Sequence, residues 1–126
     1  MPEKHEKPEI DFVDPTPPTD LVVTDLVEGD GPEAGAGSTV SVHYVGVAHS
    51  TGEEFDASYN RGTPLQFRLG IGQVIAGWDQ GVQGMKVGGR RQLVIPPHLG
   101  YGDRGAAGVI KPGETLVFVV DLLGVS

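Results

Sequence analysis

The chain contains no cysteine. That removes disulfides, cysteine-based zinc sites and thiol catalysis together, and leaves the compartment open, since cytosolic and secreted proteins alike can lack the residue. Basic charge is scarce as well. Nine Lys and Arg stand against 17 Asp and Glu, a formal net charge of −8. Nucleic acids and anionic membrane surfaces need a basic footprint, so neither is expected as a partner. No apolar run approaches the roughly 18 residues of a membrane span. The charged N-terminus, residues 1–12, lacks the apolar stretch of a signal peptide, and a cytoplasmic location is expected. No internal repeat is evident. What is present is 126 residues, 38% of them hydrophobic, one domain's worth of chain that can bury roughly two-thirds of its unfolded surface without staples. The 20 glycines are about twice the average usage and follow no Gly-X-Y period, so they read as tight turns between short strands.

Residues 1–20 stand apart. They hold five of the ten prolines, and six acids against two lysines, a net charge of −4. Such a segment buries too little apolar surface to offset its ordering entropy. A flexible acidic tail over 1–20 and a single domain over 21–126 are expected, with Ile10, Phe12 and Val13 as an apolar exception able to dock on the domain. From Leu21 the pattern is strand-like. Leu21, Val22 and Val23 open a short strand that ends near Gly29-Asp30-Gly31. Alternation then places Val40, Val42 and Tyr44 on one face; Leu65, Phe67 and Leu69 on another; Leu93 with Ile95; and Leu116, Phe118, Val120 and Leu122 in one row. One-sided burial of this kind belongs to antiparallel sheets. Val74, Trp78, Val82 and Met85 repeat at helical spacing and predict a helix over about 74–85. Gly77, Gly81 and Gly84 should each cost that helix up to about 1 kcal/mol relative to Ala, and close approach to a sheet is the reason to keep them. The fold class is α+β: a curved antiparallel β-sheet of about five strands wrapped around one short helix.

Several familiar signals carry little. Gly70-Ile71-Gly72 begins like a dinucleotide fingerprint, but Ile75 stands at the third glycine position and no βαβ unit surrounds it. Gly84 to Arg91 lacks the Gly-Lys-Ser/Thr ending of a phosphate loop, and Arg90 and Arg91 read as the solvated start of a strand. His5, His43, His49 and His98 form no close ligand pair, so neither a metal nor another cofactor is expected. Glu53, Glu54 and Asp56 are sequence neighbours, and a glycosidase needs opposed carboxylates. Ser38 and Ser58 have no evident base to activate them.

The aromatic residues are more informative. Tyr44, Phe55-Asp56, Phe67, Trp78, Tyr101 and Phe118 are spread through the chain, several at inward strand positions, with the lone Trp at the start of the only helix. An aromatic core accounts for most of them. The hydroxyls of Tyr44 and Tyr101 and the carboxylate of Asp56 favour instead an apolar pocket with a few convergent polar groups, the usual form of a small-ligand site.

The order and spacing of these residues resemble the FKBP-type peptidyl-prolyl cis–trans isomerases, the immunophilins that bind tacrolimus and rapamycin. The matching pieces are V-x-V-H-Y-x-G at 40–46, G-x-x-F-D-x-S at 52–58, F-x-L-G at 67–70, V-I-x-G-W-D-x-G-V at 74–82, M-x-V-G-x-R at 85–90, L-x-I-P-P at 93–97, G-Y-G at 100–102 and T-L-V-F-V-V-D-L-L at 115–123. Each is weak alone; together they cover about residues 21–125 in order. The resemblance implies acceleration of X–Pro rotation during protein folding. Trp78 would be the pocket floor, with Tyr44, Phe55, Phe67, Val74, Ile75 and Phe118 as walls. The N–H of Ile75 and the hydroxyl of Tyr101 would donate to the bound chain, Asp56 would face the cavity held by Arg61, and Val109 and Ile110 would belong to a loop above it. Leu65 stands where the best-known members place Phe, Ala106 where His often sits and Val109 where Ile is frequent, changes that bear on substrate preference and drug affinity. No long insert separates Gly102 from Pro112, so little general chaperone activity is expected. The implied partners are proline-containing peptides, unfolded or folding proteins and macrolide inhibitors, met by a monomer. The alternative is a non-catalytic module that captures proline-containing partners or a macrolide without turnover.

Overall fold

A computed structural model describes residues 18–106 and 110–126. Strand β1 (Val22–Val27) is followed by the ten-residue β2 (Thr39–Ala48), β3 (Glu54–Ala57), β4 (Leu65–Arg68), helix α1 (Ala76–Gly81), β5 (Arg90–Ile95) and the ten-residue β6 (Leu116–Val125). All strand pairs are antiparallel. The order across the sheet is β1-β5-β6-β2-β3, and β4 also pairs with β2. Strand β2 thus meets β6 along one edge and is shared on the other, by β4 at Thr39–Val42 and by β3 at Val45–Val47.

The α+β sheet around one short helix is as expected, with six strands instead of about five. The additional one is β3, whose four residues are too few to show a period. The helix is shorter than its periodicity suggests, six residues rather than twelve. Ile75 is still extended (ψ 151°), and Gly84 turns left-handed (φ 91°). Val82 and Met85 nonetheless stay buried beside Trp78, because the turn after the helix keeps them facing the sheet.

The core lies between α1 and one face of the sheet. It gathers Val40, Val42 and Tyr44 of β2, Phe67 of β4, Leu93 and Ile95 of β5 and the row Leu116, Phe118, Val120 and Leu122 of β6. The helix glycines permit this contact: a Cβ at Gly77 would lie 2.6 Å from Ile95, and one at Gly81 2.7 Å from Leu93. Arg90 and Arg91 are not solvated. Arg90 pairs with Asp121 of β6, a carboxylate that is 2% exposed, at 2.7 Å. Arg91 donates to the carbonyls of Gly81 and Gln83 at 2.9 and 3.0 Å, covering the end of α1, and pairs with Asp25 of β1. Buried orphan carbonyls at a helix end need such partners. Among the described residues no helix is long and apolar enough to cross a membrane.

Candidate functional site

At the N-terminal end of α1 the sheet and helix leave a cavity of about 530 Å³. Trp78 is its floor: the indole is 4% exposed, yet it lines the hollow. Edge-on rings fix it there. Tyr44 and Phe118 meet it at centroid distances of 4.9 and 5.2 Å, with interplanar angles of 81° and 89°. Phe55 of β3 stands edge-on to Phe118 at 5.4 Å. Such packing suits the negative faces and positive edges of aromatic rings. Gly46 of β2 makes room for it, since a Cβ there would fall 2.6 Å from Phe118 and 2.7 Å from Phe55. Leu65, Val74 and Ile75 complete the apolar wall, and Asp56, Gln73 and Tyr101 bring polar atoms to it.

Asp56 is engaged at both oxygens. The Tyr44 hydroxyl donates to Oδ2 at 2.5 Å, and Arg61 donates to Oδ1 at 2.8 Å. The same guanidinium reaches the Tyr44 oxygen at 2.8 Å and lies 5.7 Å from that ring's centroid, within cation–π range. Partial burial works to raise the Asp56 pKa, but the hydrogen bonds from Tyr44 and Arg61 outweigh it and hold the carboxyl below its ordinary value. Tyr44 is pushed upward, by burial first and then by its bond to Asp56. At neutral pH the site therefore presents a carboxylate and a neutral phenol.

The strand carrying Tyr44 is pinned from behind. Ser58 Oγ, fully buried, accepts from the Tyr44 N–H at 2.7 Å and meets His43 Nδ1 at 2.8 Å. The loop into the helix is held by Asp79, whose two oxygens accept the N–H groups of Gly70 and Gly72, each at 2.9 Å. Gln73 Oε1 accepts the Arg68 N–H at 2.7 Å. This loop carries Val74 and Ile75 to the cavity. The Ile75 N–H has no acceptor among the described residues, and neither does the indole Nε1 of Trp78. The Trp78 Nε1 is buried, and unmet buried donors are uncommon outside functional sites.

Of the residues expected at the site, Tyr44, Phe55, Asp56, Leu65, Val74, Ile75, Trp78, Tyr101 and Phe118 converge on the cavity. Phe67 does not line it. Paired with Val40 in the sheet, it is buried against the indole at 5.7 Å. Arg61 stands behind Asp56. Ala106 and Ile110 join through reciprocal backbone hydrogen bonds of 2.8 Å, with Ile110 in the main core. Val109 lies outside the described residues. Gly46, Gln73 and Asp79 were given no role at the site in the sequence, although Gly46 and Asp79 stand in the matching motifs. The glycine inside an otherwise β-branched strand was the available signal for Gly46.

A curved antiparallel sheet that holds an indole-floored cavity against a short helix defines the class. The chain belongs to the family of FKBP-type peptidyl-prolyl cis–trans isomerases, which it matches over residues 31–123. It is 74% identical over 121 residues to an FK506-binding protein of Streptomyces anulatus, covering 95% of this chain and 98% of that protein. It is 52% identical over 118 residues to a probable FK506-binding protein of Corynebacterium glutamicum, covering 94% and 98%. The crystal structure of AtFKBP13 superposes with a TM-score of 0.79 at 46% identity, over 89% of this chain and 98% of that one. That of FkpA from Escherichia coli gives 0.76 at 44% identity, over 84% of this chain and 48% of that one.

Proposed function

We propose that the cavity above Trp78 binds the prolyl ring of X–Pro segments and accelerates rotation about the preceding bond without a covalent intermediate. The observation that carries this reading is the cavity itself, about 530 Å³ of mostly apolar wall, within the range typical of small-ligand sites. Rotation about a peptide bond faces a barrier of about 18–20 kcal/mol because resonance must be broken. X–Pro bonds interconvert unaided in tens to hundreds of seconds. In the twisted state the nitrogen no longer conjugates with the carbonyl, and the C–O dipole shrinks. An apolar enclosure disfavours the planar, more polar ground state relative to it, which is preferential binding of the transition state and requires no nucleophile. Lowering the barrier by about 7–8 kcal/mol corresponds to five or six decades in rate. On this reading the Ile75 N–H and the Tyr101 hydroxyl donate to carbonyls of the bound chain, and Asp56 sets the local field. The same wall suits a tacrolimus- or rapamycin-type macrolide, in keeping with the FK506-binding names of the relatives.

The test is a cis–trans exchange assay on X–Leu–Pro–Phe and X–Ala–Pro–Phe peptides, with and without macrolide. Faster exchange that macrolide suppresses is expected. Binding reported by Trp78 fluorescence with no gain in exchange rate would instead mark a capture module.

A further inference from the structure

The sheet has a second apolar face. Side chains alternate along β2, β5 and β6, so those pointing away from α1 form their own rows. Five of them are valines, each buried: Val45 (2% exposed), Val47 (6%), Val94 (7%), Val117 (0%) and Val119 (1%). They are contiguous, because the strand register pairs Val45 with Val119, Val47 with Val117, and Val94 with Val117. A solvated antiparallel face is ordinarily polar. Among the described residues the apolar neighbours of the cluster formed by four of these valines are Ala57 and Tyr59. Burial this deep calls for a further covering layer.

The chain itself holds a segment that fits. Residues 1–17 precede β1, and β1 enters the sheet with Val22 opposite Val94, one of the five valines. Strands lie about 4.8 Å apart, so the path from β1 across β5 and β6 to β2 is roughly 14 Å. The ten residues from Phe12 to Leu21, nine Cα–Cα steps, reach roughly 30 Å when extended. The segment carries Ile10 and Phe12 in alternation within an otherwise acidic, Pro-rich run. The likeness to the Corynebacterium relative spans 118 of the 126 residues and that to the Streptomyces relative 121, so both run through Glu9 and the residues after it. This stretch accompanies the domain in both relatives.

We propose that residues 8–17 cross the outer face of the sheet as an intramolecular strap and seat Ile10 and Phe12 on the valine patch. Because the chain has no cysteine, an Asp14→Cys variant of the full protein carries a single nitroxide. In a dilute sample its amide signals should broaden most at Val45, Val94, Val117 and Val119 and least around Trp78 and α1. Adding Ile10→Asp and Phe12→Asp to the labelled chain should restore the lost signals. Broadening that is weak throughout, or centred on the Trp78 cavity, overturns the proposal. So does broadening that passes from labelled to unlabelled chains in a mixed sample, which would give the patch to a second copy.

Discussion

Both carboxylate oxygens of Asp56 are engaged: one takes the Tyr44 hydroxyl and the other takes Arg61. A carboxylate so held is a poor proton donor, which argues for an electrostatic role. Asp56→Asn should therefore slow peptide exchange by less than about a hundredfold with the fold intact, whereas loss of a true general acid costs 10²- to 10⁴-fold. Protease-free exchange kinetics on the purified variant would decide. The pH dependence follows from the same pair. The depressed Asp56 pKa contributes stability that is present above its ordinary value of 3.8 and is lost as pH falls through the folded value. The raised Tyr44 pKa contributes below its ordinary value of 10.0 and is lost as pH rises through the folded value. Exchange rate should be flat between about pH 5 and pH 9, and a bell centred near neutrality would return proton transfer to consideration. The aromatic positions were legible in the sequence because their residue types are scarce, and Asp56 because it directly follows Phe55. The roles of Asp79 and Gln73 were not, because acids and amides are common and only the loop geometry gives them a purpose.

Helix α1 owes its position to its glycines rather than to helix propensity. Alanine at Gly77 or Gly81 would improve propensity by up to about 1 kcal/mol. The added Cβ would then press on Ile95 or Leu93, both 0% exposed, and overpacking of this kind costs about 1–3 kcal/mol. Urea denaturation should show each variant less stable, by up to about 2 kcal/mol once the propensity gain is set against the overpacking. Gly35→Ala, with nothing within 4 Å of the new methyl, should be neutral or slightly stabilising. A gain in stability at Gly81 would show that the helix can ride away from the sheet. The apolar spacing announced this helix but exaggerated its length, since Val74, Val82 and Met85 face the core from extended and turn residues that a periodicity cannot distinguish from helical ones. Strand β3 was hidden for the complementary reason: four residues with one bulge against β2 leave no pattern.

Across the whole molecule the two faces of the sheet serve different ends. The inner face builds the cavity, and the outer face carries the valines and a polar cluster in which Asp121 accepts from both Arg90 and Tyr59. Burial, with the bond to Asp121, holds the Tyr59 phenol far above its ordinary range. Removing Arg90 would take the cation from a carboxylate that is 2% exposed and leave it the Tyr59 hydroxyl. Arg90→Met should cost about 3–5 kcal/mol, as breaking buried pairs does, read by guanidinium denaturation. Exchange activity per folded molecule should be unchanged, because Arg90 does not line the cavity.

Sequence alone determined the α+β class, the inward rows of the main strands and the ring-bearing positions of the site, because alternation and rare residue types are local properties that survive in one dimension. The tertiary structure decided what depends on pairing. Only register shows that Arg90 meets Asp121, that Arg91 closes a helix end and that five valines from three strands make one continuous surface. Those contacts join residues tens of positions apart, and no local period records which strand lies beside which.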